Sequence, residues 1–236
     1  FYDVITSEPP PPRTAFTVNL YTKEYYELQK RKLKPGGISA QWIPLHSQGK
    51  EEVAMHFKTF QSVFPYTMGW LSVANEILII GSDQPIKIDF NKLNERLQEP
   101  EIKKALKDIE IPDIFSFLSN IWLLNEQVIK LGEGYPLITD NHPAIEFYLE
   151  LGNVIGIPGQ ERYVFNRARF DDVAKQITNL SEENRQKFKI YYDAMDLYQR
   201  GVMYGNRGQL LKAMNLVEDD DLFRYHLQAD RKQMQR

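Results

Sequence analysis

Phe1-Tyr-Asp-Val-Ile-Thr-Ser-Glu8, followed by the four prolines Pro9 to Pro12, opens the chain. Tyr2 to Ser7 is rich in β-branched and aromatic residues and is bounded by prolines, so it reads as a buried strand. The strand stops at an acidic residue and runs into a stiff loop, because each proline fixes φ. In an open α/β sheet, ligands bind at the carboxyl ends of strands, which makes Glu8 the first candidate functional side chain. The plainer reading makes Glu8 a solvated acid at a strand end and the prolines a rigid spacer.

Working outward, residues 23–33 carry Tyr25, Tyr26, Leu28 and Leu33 among charges, a helical pattern that Pro35-Gly36-Gly37 stops. Residues 38–45 read as the next strand. Residues 50–64 read as a helix with a broad apolar face, ended by Pro65. Residues 66–73 and 76–81 read as two strands of a hairpin turning at Ala74-Asn75. Strand-helix-strand-helix-strand is the grammar of a twisted, mostly parallel sheet, with the hairpin as an antiparallel edge. Beyond Ser82, residues 89–97 and 100–109 read as short amphipathic helices, and residues 113–131 as one longer helix. Residues 136–147 form an irregular polar crossing, and residues 149–163, with Gly152, Gly156, Pro158 and Gly159, resemble a linker. Everything beyond Phe170 reads helical, with Ser181 as the N-cap of the longest element.

Composition narrows the function classes. Hydrophobic residues make up 42% of the 236, enough for a core, and the net charge of −3 argues against a general nucleic-acid binder. There is no cysteine, which excludes disulfides, thiolate metal sites and cysteine nucleophiles. No apolar run approaches the roughly 20 residues of a membrane helix. Phe1 is not an initiator methionine, so the chain reads as cut from something longer, cytoplasmic or membrane-attached through an upstream segment.

Several segments in order resemble the polyamine aminopropyltransferases, the spermidine synthase family, and most closely its bacterial, membrane-fused branch. They are Tyr2-Asp-Val-Ile-Thr-Ser-Glu-Pro9, Leu20-Tyr-Thr-Lys-Glu-Tyr-Tyr-Glu-Leu28 and Leu33-Lys-Pro-Gly-Gly-Ile-Ser-Ala-Gln-Trp-Ile-Pro-Leu45. Phe60-Gln-Ser-Val-Phe-Pro65, Glu76-Ile-Leu-Ile-Ile-Gly-Ser82 and Pro136-Leu-Ile-Thr-Asp-Asn-His-Pro-Ala-Ile-Glu-Phe147 continue the series. The resemblance covers residues 1–148. It implies the C-terminal half of a Rossmann-like methyltransferase sheet, with the cofactor half upstream. It also implies transfer of an aminopropyl group from decarboxylated S-adenosylmethionine to a diamine, or a methyl group from S-adenosylmethionine itself. An amine attacks the carbon beside a sulfonium only when neutral, and a strand-end carboxylate can orient it and accept its proton. Here the chain departs from the family. The family's strand-end loop carries two aspartates spaced Asp-x-x-Asp-Pro; Glu8 stands at the first place and Pro11 at the second. The family's Tyr-Pro-Ser-Gly loop has no match near residues 69–75.

Four further groups of residues are candidates. Gln41 and Trp42, at the end of the second strand, face the same crevice if the sheet is parallel, with Gln41 hydrogen-bonding a ligand and Trp42 covering it; Trp42 reads equally well as a packing aromatic. Tyr21 can line that crevice or pack beneath it. Asp140 and His142 form a polar cluster, better read as a turn capped by Asp140 than as an acid–base pair. The four histidines, His46, His56, His142 and His226, show no metal-ligand spacing, so no metal is expected. The spacing Leu197, Gly201, Tyr204, Gly208, Ala213 matches one tetratricopeptide-type unit, in which small residues let two helices approach and the tyrosine fills the gap. The acidic run 218–221 reads as a solvated helix start.

The expectation is therefore an α/β domain over residues 1–148, a linker over 149–169 and a helical, tetratricopeptide-like tail over 170–236. It would act as an aminopropyl- or methyltransferase portion with Glu8 as the catalytic carboxylate and Tyr21, Gln41 and Trp42 as substrate-binding residues. The expected partners are an upstream half of the same protein or another subunit, or a second copy in a homodimer, with no nucleic acid and no membrane segment within these residues. The alternative is a non-catalytic scaffold that retains the fold.

Overall fold

The computed structural model describes residues 1–12, 14–46, 48–73, 76–109, 111, 113–146, 163 and 166–217. The Ala74-Asn75 turn, the acidic run at 218–221 and most of the expected linker lie outside the described residues. The chain forms two compact units, residues 1–86 with 122–168 and residues 87–121 with 169–236. Residues 87–121 thus group with the helical tail rather than with the preceding sheet.

The first unit is mixed α/β. Its described strands are β1 (Tyr2–Ser7), β2 (Leu33–Pro44), β3 (Tyr66–Val73), β4 (Glu76–Ser82) and β6 (Ile121–Leu124), in the order β1-β2-β4-β3-β6. β1 pairs parallel with β2, whereas β4 pairs antiparallel with both β2 and β3. The expectation of a mostly parallel sheet with the hairpin at its edge is corrected: β4 turns back and slots between β2 and β3, so both its ladders are antiparallel. Two antiparallel steps bring β3 into the same direction as β2 and β1.

Helices shield one face of this sheet. α1 (Lys23–Lys32) starts at Thr22, whose side chain accepts from the Tyr25 amide, and ends with Lys30, Arg31 and Lys32 in the last turn, where cations oppose the helix dipole. The chain passes straight into β2 at Leu33, so Pro35-Gly36-Gly37 lies inside a strand rather than after a helix. The ladder takes up the extra residues as a bulge, with Tyr2 opposite Leu33 and then Val4 opposite Ile38. α2 (Lys50–Val63) places Glu51 and Glu52 in its first turn and buries Val53, His56, Phe57, Phe60 and Val63. Under these helices lie Ser39, Gln41 and Ile43 of β2 and Ile77, Ile79 and Gly81 of β4, all buried. Ser39 Oγ donates to Gln29 Oε1 of α1 at 2.6 Å, and Tyr26 of α1 meets Phe60 of α2 edge-on with ring centroids 4.9 Å apart. On the other face Ile38, Ala40, Trp42, Leu78 and Ile80 are only half-buried.

β1 is not the buried strand that its composition suggests. Among the described residues it has a neighbour on one side only, and Phe1, Tyr2 and Val4 are 87%, 60% and 54% exposed. Residues 113–131 are not one helix either. They divide into α5 (Ile114–Ser119), β6 and α6 (Asn125–Gly132). Asn120 closes α5, and the Leu124 amide donates to Gln127 Oε1 where α6 starts.

In the second unit α3 (Phe90–Leu97) and α4 (Pro100–Asp108) follow the two-residue strand β5 (Ile88–Asp89). Past α7 (Phe170–Ala174), β7 (Ile177–Thr178) pairs with β5, a strand the all-helical expectation did not contain. α8 (Glu182–Met203) packs on α5 and on α9 (Arg207–Leu216). Gly201 permits the α8–α9 approach, since a Cβ there would lie 2.8 Å from Leu210 Cδ2. Tyr204 does not fill the gap between these helices; it is 49% exposed. The Ser181 side chain accepts from the Asn184 amide at 3.2 Å. Ser181→Ala is expected to lower the unfolding free energy of this unit by about 1 kcal/mol, read by far-UV circular dichroism in denaturant.

Candidate functional site

β1, β2 and β3 run the same way, so their carboxyl ends share one end of the sheet. β4 starts at that end, because Pro44 at the end of β2 pairs with Glu76 at the start of β4. The β1–β2 ladder ends at Ser7 opposite Gln41, so Glu8 follows level with Trp42. Glu8 is exposed.

The loop after β1 is pinned from below. Tyr21 is fully buried in a cluster with Val18, Ile138 and Ile145, and its hydroxyl lies 3.2 Å from the carbonyl oxygens of both Pro9 and Pro10. A single hydroxyl proton serves these two acceptors in turn or as a shared bond. Tyr21 therefore supports the strand-end loop and does not line a crevice above it.

The loop after β2 is held by a chain of polar side chains. Gln48 Nε2 donates to the Pro44 carbonyl at 2.6 Å, which fixes the orientation of its amide. Gln48 Oε1 then faces His56 Nε2 at 3.1 Å, and because an amide oxygen only accepts, the imidazole carries its proton on Nε2. His56 Nδ1 is buried with no partner among the described residues. Burial pushes the His56 pKa down to about 3, so the ring is neutral near pH 7. Its ring stands edge-on to Tyr21 with centroids 4.9 Å apart, which joins the two loop supports.

Gln41 and Trp42 do not wall one pocket. Strand alternation sends them to opposite faces. Gln41 is fully buried on the helix-covered face; its Nε2 donates to the Trp42 carbonyl at 3.2 Å and its Oε1 has no partner among the described residues. Trp42 is half-buried on the opposite face, where its indole Nε1 donates to Glu76 Oε2 at 3.1 Å. The His46 ring lies 6.4 Å from the indole. Sequence reasoning missed Glu76, Gln48 and His56. The one available signal was His56 itself, a polar residue on the apolar face of α2.

Asp140 and His142 are exposed and belong to a tight turn. The Thr139 and His142 main chains bond to each other, the His142 amide also donates to Thr139 Oγ1 at 3.0 Å, and the Asp140 amide donates to Glu24 Oε2 at 3.1 Å. Among the described residues no group of three or more His, Asp or Glu side chains gathers to hold a metal ion. No helix among them is long and apolar enough to cross a membrane.

Compared with protein-family models, with curated proteins and with solved structures, the chain matches none.

Proposed function

We propose that the first unit is the acceptor-side portion of a spermidine-synthase-like transferase, moving an aminopropyl or methyl group from an S-adenosylmethionine-type donor. The observation that carries this reading is Glu8: an exposed carboxylate one residue past the last paired position of β1, level with Trp42, above a loop that Tyr21 pins. The finer fold assignment, a Rossmann-like methyltransferase sheet, draws support from the parallel β1–α1–β2 crossover and from β3 running with them. In this reading Glu8 holds the cationic substrate by charge, and a partner segment, in the same protein or in another subunit, supplies the donor's nucleotide site.

The test is calorimetry on the natural full-length protein with decarboxylated S-adenosylmethionine and with methylthioadenosine. Binding is expected, and Glu8→Ala is expected to weaken the charged donor at least roughly tenfold while methylthioadenosine changes less. Absence of binding at millimolar ligand overturns the reading. Product mass separates aminopropyl from methyl transfer.

Two observations favour a second reading, a non-catalytic scaffold. β1 lies at the rim of the sheet with Phe1, Tyr2 and Val4 exposed, and Pro11 stands where the family has its proton acceptor. Under that reading the donor does not bind and a stable protein partner co-purifies.

A further inference from the structure

We infer that Glu76, tied to the indole of Trp42, is the carboxylate that receives the ammonium group of an organic amine, the role that Pro11 cannot fill. The inference rests on the amine-transfer reading for its ligand class and on the geometry of the sheet face that carries Trp42 for its residues.

Pro11 is spent in a turn, its carbonyl accepting from the Thr14 amide at 3.0 Å. Glu76 reaches the same end of the sheet by another route. It opens β4 opposite Pro44, and by alternation it shares a face with Leu78 and Ile80. Leu78 pairs with Trp42 on one side and with Trp70 on the other, so the two tryptophans flank it in one cross-strand row. All three side chains are half-buried. Glu8 follows one strand beyond Trp42 in the sheet order. Trp42 thus stands between two strands that each bring a carboxylate to this end.

The chemistry of this arrangement suits a cation. An indole face is the best aromatic partner for an ammonium group, and a carboxylate beside it adds charge and hydrogen-bond acceptors. Glu76 Oε2 takes the indole N–H, while no lysine or arginine among the described residues pairs with the carboxylate. The bond fixes one oxygen and leaves Oε1 able to accept from an ammonium group. A purely structural tie between β2 and β4 would need only the hydrogen bond and not the charge, and this difference separates the two roles.

The experiment uses the natural full-length protein labelled with 15N at its indoles, titrated with 1,4-diaminobutane and, as a neutral isostere, 1,4-butanediol. The Trp42 indole signal, assigned with Trp42→Phe, is expected to shift saturably with the diamine and not with the diol. Glu76→Gln keeps an oxygen for the indole N–H and removes the charge. It is expected to leave the thermal midpoint near that of the parent and to weaken the diamine at least roughly tenfold. Should that variant fail to fold, Trp42→Leu, which lacks the π-face and the reporting indole, is titrated by calorimetry beside the parent and is expected to weaken the diamine at least roughly threefold. No diamine shift, an equal shift with the diol, or unchanged affinity in the variant that folds overturns the inference. Donor binding without diamine binding overturns it and leaves the transferase reading standing; diamine binding without donor binding does the reverse.

Discussion

Gly81→Ala is expected to lower the stability of the first unit by about 3 kcal/mol, and Gly81→Val by more. Gly81 sits in the middle of the sheet, between Ser39 of β2 and Thr67 of β3, on the face covered by α2. A Cβ at this position would lie 2.5 Å from Phe60 Cε1 and 2.7 Å from Phe64 Cβ. The Phe60 ring can turn only by disturbing Tyr26 and Phe64, whose rings it meets at 4.9 and 4.8 Å. Phe64 Cβ cannot turn at all, since it is bonded directly to the backbone at the end of α2. The added methyl must therefore push α2 off the sheet or spread the strands. All three tryptophans, Trp42, Trp70 and Trp122, belong to this unit, so intrinsic fluorescence in denaturant reports its unfolding alone. The coupling is testable. Phe60→Leu removes the atom in closest conflict and is expected to recover part of the Gly81→Ala loss, a non-additivity of about 1 kcal/mol. Full additivity, or a midpoint unmoved by Gly81→Ala, would show that α2 does not rest on β4 in this way.

What was legible in the sequence follows from what is local. α1, α2, β3 and β4 announce themselves through apolar spacing and through Pro65 and the hairpin pattern, and all lie within a residue or two of their expected bounds. The burial of β1 was not legible, because Tyr2 to Ser7 has the same composition whether the strand is central or at an edge, and only its neighbours decide. The insertion of β4 between β2 and β3 is likewise a property of strand order, which no local pattern encodes. Residues 113–131 misled for another reason. Phe115, Phe117, Leu118, Ile121, Trp122, Leu123 and Leu124 are so densely apolar that helix and buried strand cannot be told apart by period. The candidate site divides the same way. Glu8 is readable because it ends a strand within the first eight residues. Glu76 is not, because its meeting with Trp42 spans 34 positions of sequence and depends on that strand order.

Acidification is expected to destabilise the first unit through His56, and this second large effect has a definite sign. The folded ring titrates at about 3 because burial penalises its charged form, against about 6.5 when unfolded. Between these values the unfolded chain binds more protons than the folded one, so stability rises with pH across that window. The contribution is fully present above about pH 6.5 and is lost as pH falls, at about 1.4 kcal/mol per pH unit, reaching about 5 kcal/mol near pH 3. A unit of ordinary stability would unfold before that point is reached. The same protonation would add a second proton at Nδ1 and put a positive charge on the buried ring that packs against Tyr21, and so strain both supports of the strand-end loops. His56→Gln gives the control. Its amide still offers a donor toward Gln48 Oε1, but it does not titrate. The variant is expected to be less stable than the parent by about 1 kcal/mol at pH 7.5, where an imperfectly replaced buried hydrogen bond is the whole difference. Its profile is expected to fall less steeply, so that the two curves cross near pH 5.5. Asp3, held below its ordinary pKa chiefly by its hydrogen bond from Lys34, adds its own loss at lower pH in both proteins and cancels in the comparison. Denaturant unfolding followed by tryptophan fluorescence at pH 7.5, 6.0 and 5.0 measures the difference. Parallel profiles for the two proteins would mean that His56 accepts a proton in the folded state as readily as in the unfolded chain, and that the Gln48–His56–Tyr21 support is open to water.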